Sequence, residues 1–339
     1  MKSYLQWAAI AFVAAIQSCA AQTYTDCNPT EETCWPNTGL SQWSFNTDFT
    51  TGDDSFDGWN VTSGSVTSTS LGAEFTINEQ GDAPTIETDF YIFFGYLEVV
   101  MRAANGTGIV STAILESDDL DEVDWEQVST FNNQIQTNYF GKGNTTSYDR
   151  ATTVSVSSPT ETFHRYGIRW TAEKTEWYVD GTLVRTLNYA DAVDGTNYPQ
   201  TPMRVRIGIW AGGDPDNSEG TISWAGGETD YTQAPFTMYI QSVSIVNYNP
   251  ADSYTWTDMT GSYGSISASN ETMESSSSVA VPQATSSMAR PTSSASISQT
   301  CPVATPTAFF NGAPGVQLSV LEGFCVIAMA ALVTGVLQL

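Results

Sequence analysis

The segment Asp118-Asp-Leu-Asp-Glu-Val-Asp-Trp-Glu126 holds the densest run of groups able to do chemistry in this chain. Glu122, Asp124 and Glu126 alternate with Val123 and Trp125. On a β-strand, that period of two sets three carboxyls on one face and two apolar side chains on the other. Like charges on one sheet face repel, so a purely structural strand has little reason to place them there. Repulsion and partial burial raise the pKa of one carboxyl while another stays ionised. Retaining cleavage of a glycosidic bond uses that asymmetry, an ionised nucleophile beside a protonated general acid. Spacing alone leaves the matter open. Four strand steps are about 13 Å along the backbone, whereas the retaining reaction needs carboxyls about 5–5.5 Å apart. The side chains must therefore lean together over a curved sheet. A solvated acidic face or a calcium loop would use the same residue types.

Other chemistries find little footing. The single histidine, His164, sits in a strand-like aromatic context and reads as structural, which leaves no base for a Ser-His-Asp arrangement. Ligands for zinc are lacking, and no Gly-x-x-x-x-Gly-Lys phosphate loop occurs. No cofactor and no metal are expected. With 11 Lys+Arg against 37 Asp+Glu, a formal charge of −26, the surface repels phosphate backbones and excludes nucleic acid as a partner. It places no such bar on a neutral polymer.

The elements that must position the carboxyls read as strands. Residues 90–101, 163–170, 176–179, 205–210 and 236–246 carry strand patterns, and Asp180-Gly181 is a two-residue hairpin signal between Trp177-Tyr-Val and Thr-Leu-Val184. No window shows a long helical period. Many short strands with frequent turns predict an all-β jelly-roll sandwich, built as one catalytic domain over residues 22–252. Composition changes after Asp252: Ser and Thr make up 20 of the 50 residues from 261 to 310. Residues 253–311 are expected to be an O-glycosylated, disordered stalk.

Both ends carry processing signals. A positive start, a short apolar run over residues 4–16 and small residues after it predict a signal peptide over residues 1–21. Asn311-Gly-Ala, a polar spacer and an apolar tail predict a glycosylphosphatidylinositol (GPI) anchor attached at Asn311, with residues 312–339 removed. Asn60, Asn105, Asn144 and Asn270 head N-glycosylation acceptors. Cys27 and Cys34 are natural disulfide partners in an oxidising compartment. Cys19 and Cys325 leave with the processed ends, and Cys301 stays unpaired. The expected mature protein is a secreted monomer held to the outer face of the plasma membrane, or covalently to the cell wall.

Glu122-Val-Asp-Trp-Glu126 matches the Glu-x-Asp-x-Glu signature of glycoside hydrolase family 16, and the chain more narrowly resembles the fungal Crh-type cell-wall transglycosylases. The matching segments include Ala83-Pro-Thr-Ile-Glu87, Phe90-Tyr-Ile-Phe-Phe-Gly95, Gly106-Thr-Gly-Ile-Val110 and Gln136-Thr-Asn-Tyr-Phe-Gly141. Trp210-Ala-Gly-Gly-Asp-Pro215, Trp224-Ala-Gly-Gly227 and Ala234-Pro-Phe-Thr-Met-Tyr239 also fit. The resemblance implies cleavage of chitin and transfer of the new end to β-glucan or chitin, with Glu122 as nucleophile, Glu126 as acid/base and Asp124 assisting. It also implies that Arg206, Trp210 and Thr221 line the donor side near Glu126. Trp210 and Trp224 are the candidate sugar platforms, with Tyr139 behind them. One position departs: relatives carry an aromatic after the motif where this chain has Gln127, whose side chain is expected to turn away from the Glu126 face. A hydrolase of β-1,3-glucan or chitin, and an inactive glycan-binding wall protein, are the alternatives.

Overall fold

The computed structural model describes residues 25–270. Its bulk is a sandwich of two antiparallel sheets. The seven-stranded sheet runs in the order β11 (Thr152–Ser155), β10 (Gln134–Phe140), β9 (Glu122–Val128), β8 (Ile109–Ser117), β15 (Met203–Ala211), β6 (Thr85–Thr88) and β3 (Trp59–Ser63). The eight-stranded sheet runs β14 (Thr182–Asn188), β13 (Lys174–Val179), β12 (His164–Trp170), β7 (Gly95–Arg102), β16 (Phe236–Asn247), β5 (Gly72–Ile77) and β4 (Val66–Thr69). Its eighth strand, β2 (Ser44–Asp48), pairs with the end of β16. A third sheet joins β1 (Asn37–Thr38), β17 (Ser253–Trp256) and β18 (Ile266–Ser269). The one α-helix among the described residues, α1 (Glu219–Trp224), is six residues long. This is the jelly-roll sandwich that the strand patterns predict.

Alternation sets the faces. Along β7, Leu97, Val99 and Met101 are buried while Tyr96, Glu98, Val100 and Arg102 lie on the other side. The Asp180-Gly181 hairpin forms as expected between β13 and β14, with both residues at positive φ (49° and 80°), as such a turn requires. Asp180 accepts hydrogen bonds from the Arg165 amide and pairs with His164 Nδ1 at 2.8 Å. The single histidine thus braces a hairpin. The Cys27–Cys34 disulfide is formed.

The core binds the two large sheets together through tryptophan. Trp125, Trp170 and Trp177 are fully buried, and each indole N–H has a carbonyl partner. Two of these bonds cross the sandwich at β9. Trp125 of β9 donates to the Gly167 carbonyl on β12 at 3.2 Å. Trp177 of β13 donates to the Asp124 carbonyl on β9 at 3.1 Å.

Two expectations need correction. Residues 90–101 do not form one strand: β7 begins at Gly95, and Phe94 has a φ of 57° that breaks the run. Residues 90–94 are apolar because they are buried on all sides. The stalk does not begin at residue 253 either. Ser253–Trp256 and Ile266–Ser269 pair as β17 and β18, Tyr254 is fully buried, and Trp256 donates to Asn37 at 2.9 Å. Hydroxyl-rich sequence serves there as strand, with Ser253 and Ser269 bonded across the pair. The signal peptide, Cys19, Cys301, Cys325, residues 271–311 of the stalk, Asn311 and the anchor segment lie outside the described residues.

Replacing Trp125 with Ala removes a fully buried indole and its bond to the Gly167 carbonyl across the sandwich. Urea unfolding of the Trp125→Ala variant should show a loss of about 3–5 kcal/mol. A change under about 1 kcal/mol would mean that β9 is not anchored through this ring.

Candidate active site

Val123 and Trp125 face the eight-stranded sheet, so Glu122, Asp124 and Glu126 share the outer face of β9. Strand register names their neighbours, because directly opposed residues share a face. Glu122 lies between Glu116 of β8 and Phe140 of β10, Asp124 between Ile114 and Asn138, and Glu126 between Thr112 and Gln136. Further out on β15, Arg206 lies opposite Ile114, Gly208 opposite Thr112 and Trp210 opposite Val110. The three carboxyls run down one line of this face. Gly208 keeps the face shallow there, since a Cβ would meet Thr85 Oγ1 at 2.7 Å.

Burial grades along the row. Glu122 is 8% exposed and Asp124 1%, whereas Glu126 is partly open. No group among the described residues donates a hydrogen bond to either oxygen of Asp124, and the side-chain hydrogen bond it shares is with Glu122. Burial first, then Glu122 and Glu126, hold Asp124 well above the usual carboxylate range. It is therefore a neutral acid beside Glu122. Burial, then the charge of Glu122, pushes Glu126 up to about 8. Both effects disfavour the charged form. The nearby arginines are committed elsewhere. Arg206 pairs with Glu116 at 3.0 Å, and Arg204 pairs with Glu87 at 2.6 Å and Asp118 at 3.5 Å. Arg206 is thus on the predicted face, as the counter-ion of a flanking glutamate.

The corner between β8 and β9 sets where Glu122 starts. Asp121, the residue before it, is completely buried. Its carboxylate accepts from the Lys142 amide at 3.0 Å, the Gln200 amide at 2.7 Å and the Thr201 hydroxyl at 2.9 Å. Asp119 accepts from the Asp121 amide and lies 2.8 Å from the same Thr201 hydroxyl, whose one proton the two carboxyls share. Lys142 Nζ stands 3.4 Å from Asp121 and 4.0 Å from Asp119. Burial, then the neighbouring Asp121, pushes Asp119 up to about 7.

At the Glu126 end, Trp210 and Trp224 meet. Their rings stack with centroids 6.0 Å apart and planes 18° from parallel. Trp224 is the last residue of α1 and donates its Nε1–H to Gln136 Oε1 at 3.0 Å. Thr221 lies on the same helix, half-buried, with its amide and hydroxyl bonded to the capping Ser218. Tyr139 is not with them. It lies opposite Val123 on the inner face of β10, 6% exposed, with Arg150 and Arg185 over its ring. A one-residue difference in position reverses the face of a strand residue, so Tyr139 is removed from the platform. Gln127 also turns inward, fully buried, and donates to the carbonyls of Val128 and Phe131. Sequence reasoning missed Glu116, Gln136 and Asn138, which only strand register brings beside the row.

Comparison with known proteins shows which family the chain belongs to. The pattern of glycosyl hydrolases family 16 matches residues 53–226. The Crh-like protein 1 of Aspergillus fumigatus is 65% identical over 279 residues, covering 81% of this chain and 76% of that protein. The structure of Crh5 transglycosylase in complex with NAG superposes with a TM-score of 0.70 at 59% identity, covering 71% of this chain and 99% of that one. A Bacillus licheniformis β-glucanase, 23% identical with a TM-score of 0.51, shares the fold over 61% of this chain and 100% of its own.

Glu126 takes up a proton on folding, because its carboxyl titrates near 4.5 when unperturbed and at about 8 in the folded protein. The stability this gives is fully present below the lower value and is lost as pH rises through the higher one. Wild type should therefore lose stability relative to Glu126→Gln between these limits, by at least about 1 kcal/mol. Urea unfolding of both proteins across that pH range tests this, and a pH-independent difference would show that Glu126 is not held protonated.

Proposed function

Because this chain belongs to glycosyl hydrolases family 16, and within it to the fungal Crh-type transglycosylases, we propose that it cuts chitin and transfers the new end to β-glucan or to another chitin chain in the cell wall. The observation that carries this reading is the carboxyl row itself, Glu122, Asp124 and Glu126 in succession on one face of β9, where burial and mutual repulsion favour the protonated forms of Asp124 and Glu126. That leaves Glu122 to carry the charge a nucleophile needs. The presence of NAG in the Crh5 transglycosylase structure supports chitin as the donor.

The reaction is a double displacement. Glu122 attacks the anomeric carbon while Glu126 gives its proton to the departing glycosidic oxygen, and the bond between sugars breaks. Asp124, a neutral acid in contact with the row, holds Glu122 in place and tempers its charge. Glu126, now ionised, takes the proton of the acceptor hydroxyl as that oxygen displaces Glu122 from the sugar. Water and glycan compete for this second step, and transfer wins where the glycan is bound and water is not. Arg206, Trp210 and Thr221 line the donor side, with Trp224 completing a stacked indole surface for the apolar faces of sugar rings.

The protein acts as a secreted monomer, tethered by a GPI anchor at Asn311 to the membrane or carried into the wall. A formed Cys27–Cys34 disulfide supports an oxidising compartment. Asn60, Asn105 and Asn270 are exposed acceptors for N-glycans, and Asn144 is half-buried.

Incubation with chitin and a fluorescently tagged β-1,3-gluco-oligosaccharide tests the proposal. Wild type should attach the tag to polymer, and Glu122→Gln should do so at least about a thousandfold more slowly. Soluble products without tag transfer would make the protein a hydrolase, and no product at all would make it a glycan-binding wall protein. The same assay across pH should show kcat/KM falling on the basic side near 8, where Glu126 loses its proton. A profile flat through that range would assign the acid role elsewhere.

A further inference from the structure

We propose that Gln136 is a positioning residue for this reaction: it latches Trp224 into the stack with Trp210 and holds the donor-side sugar surface in register with Glu126. The proposal rests on the transglycosylase reading of the site. Trp224 ends a helix of six residues, far shorter than helices that hold themselves together in water. Two Gly residues, Gly226 and Gly227, follow it closely, both at positive φ (84° and 127°). The position of its ring is therefore set by tertiary contacts.

Two such contacts divide the task. The stack with Trp210, at 6.0 Å and 18°, fixes the plane of the ring but resists sliding within that plane only weakly. The hydrogen bond to Gln136 at 3.0 Å fixes the slide and the in-plane rotation. An indole N–H can only donate, so it selects the oxygen of Gln136 and turns the amide nitrogen the other way. Gln136 is the strand partner of Glu126, so the latch ends beside the acid/base carboxyl. Sheet order β10-β9-β8-β15 places Gln136 and Trp210 three strands apart, about 14 Å. The Trp210–Trp224–Gln136 chain spans that distance over the strands that carry Thr112 and Glu126.

Gln136→Met keeps the length of the side chain and removes the acceptor, while Trp224→Phe keeps a ring and removes the donor. In ligand-free protein, the exciton couplet of the Trp210–Trp224 pair in circular dichroism, defined by its loss in Trp224→Phe, should weaken in Gln136→Met. With a soluble chitin oligosaccharide as donor, Gln136→Met should raise KM about three- to tenfold and leave kcat within about a factor of two. In the Trp224→Phe background it should add nothing, as residues acting through one bond are not additive. An unchanged couplet and KM, or an equal effect in both backgrounds, would overturn the latch. If wild type transfers no sugar, the transglycosylase reading falls, and the couplet alone decides for or against the latch.

Discussion

A buried carboxyl row on one face of a strand can persist only if the other face holds the strand in place. On β9 that holding force is the packing of Val123 and Trp125, both with no solvent exposure, and two indole bonds that cross the sandwich to Gly167 and from Trp177. Burying an ionised Asp124 that receives no hydrogen bond would cost several kcal/mol. The protein avoids this by leaving the group protonated. Keeping it so demands that no cation pair with it. Arg204 and Arg206 stand on β15, beyond β8, with their charges absorbed by Glu87, Glu116 and Asp118. Placed on Asp124 or Glu126, either would lower the very pKa values the chemistry uses. The flanking glutamates thus serve the row by occupying the arginines.

The corner ahead of the row solves the opposite problem with the same residue type. Asp121 is as buried as Asp124, but it is surrounded by donors from two separate segments, Lys142 in one and Gln200 and Thr201 in the other. A bonded carboxylate is a rigid joint, and here the joint lies one residue before Glu122. Residues past 252 are built into it. Tyr263 donates its amide to Gln200, and a Cβ at Gly261 would meet Lys142 Cε at 2.5 Å and Asp119 Oδ2 at 3.0 Å. The segment that composition assigns to a stalk therefore starts as part of the support for the site.

How much of this was legible in sequence follows from what period two can and cannot encode. Glu122, Asp124 and Glu126 were readable because their apolar partners, Val123 and Trp125, make the parity of β9 unambiguous. In β10 the sets Gln136/Asn138/Phe140 and Thr137/Tyr139 each mix polar with aromatic residues, so either could face the acids. Tyr139 was placed on the wrong side for that reason, and Gln136 was passed over. Trp210 and Trp224 were both legible as candidates, while their contact depends on a short helix folding back across two strands. Tyr254 and Trp256 were the local signal that residues after 252 still had a core to join, diluted by the Ser and Thr around them.

Exposure along the row also orders the roles. A nucleophile must reach the anomeric carbon, a general acid must reach an oxygen that belongs to the substrate, and an assisting acid needs to reach only its neighbour. Asp124, nearly closed off, can act on nothing but Glu122 and Glu126, so its contribution is confined to their charge and position. Glu126 is the member left partly open, which suits the acid/base role proposed for it, since that proton would pass to the substrate and back within a single cycle. Its openness would also admit water to the glycosyl-enzyme. The indole pair lies at that end of the row and not at the Glu122 end, so on the proposed reading a donor sugar stacked there is brought within reach of the Glu126 proton. Under that reading the aromatics beside Glu126 hold the donor through both displacements, and the hold on the acceptor decides between transfer and hydrolysis.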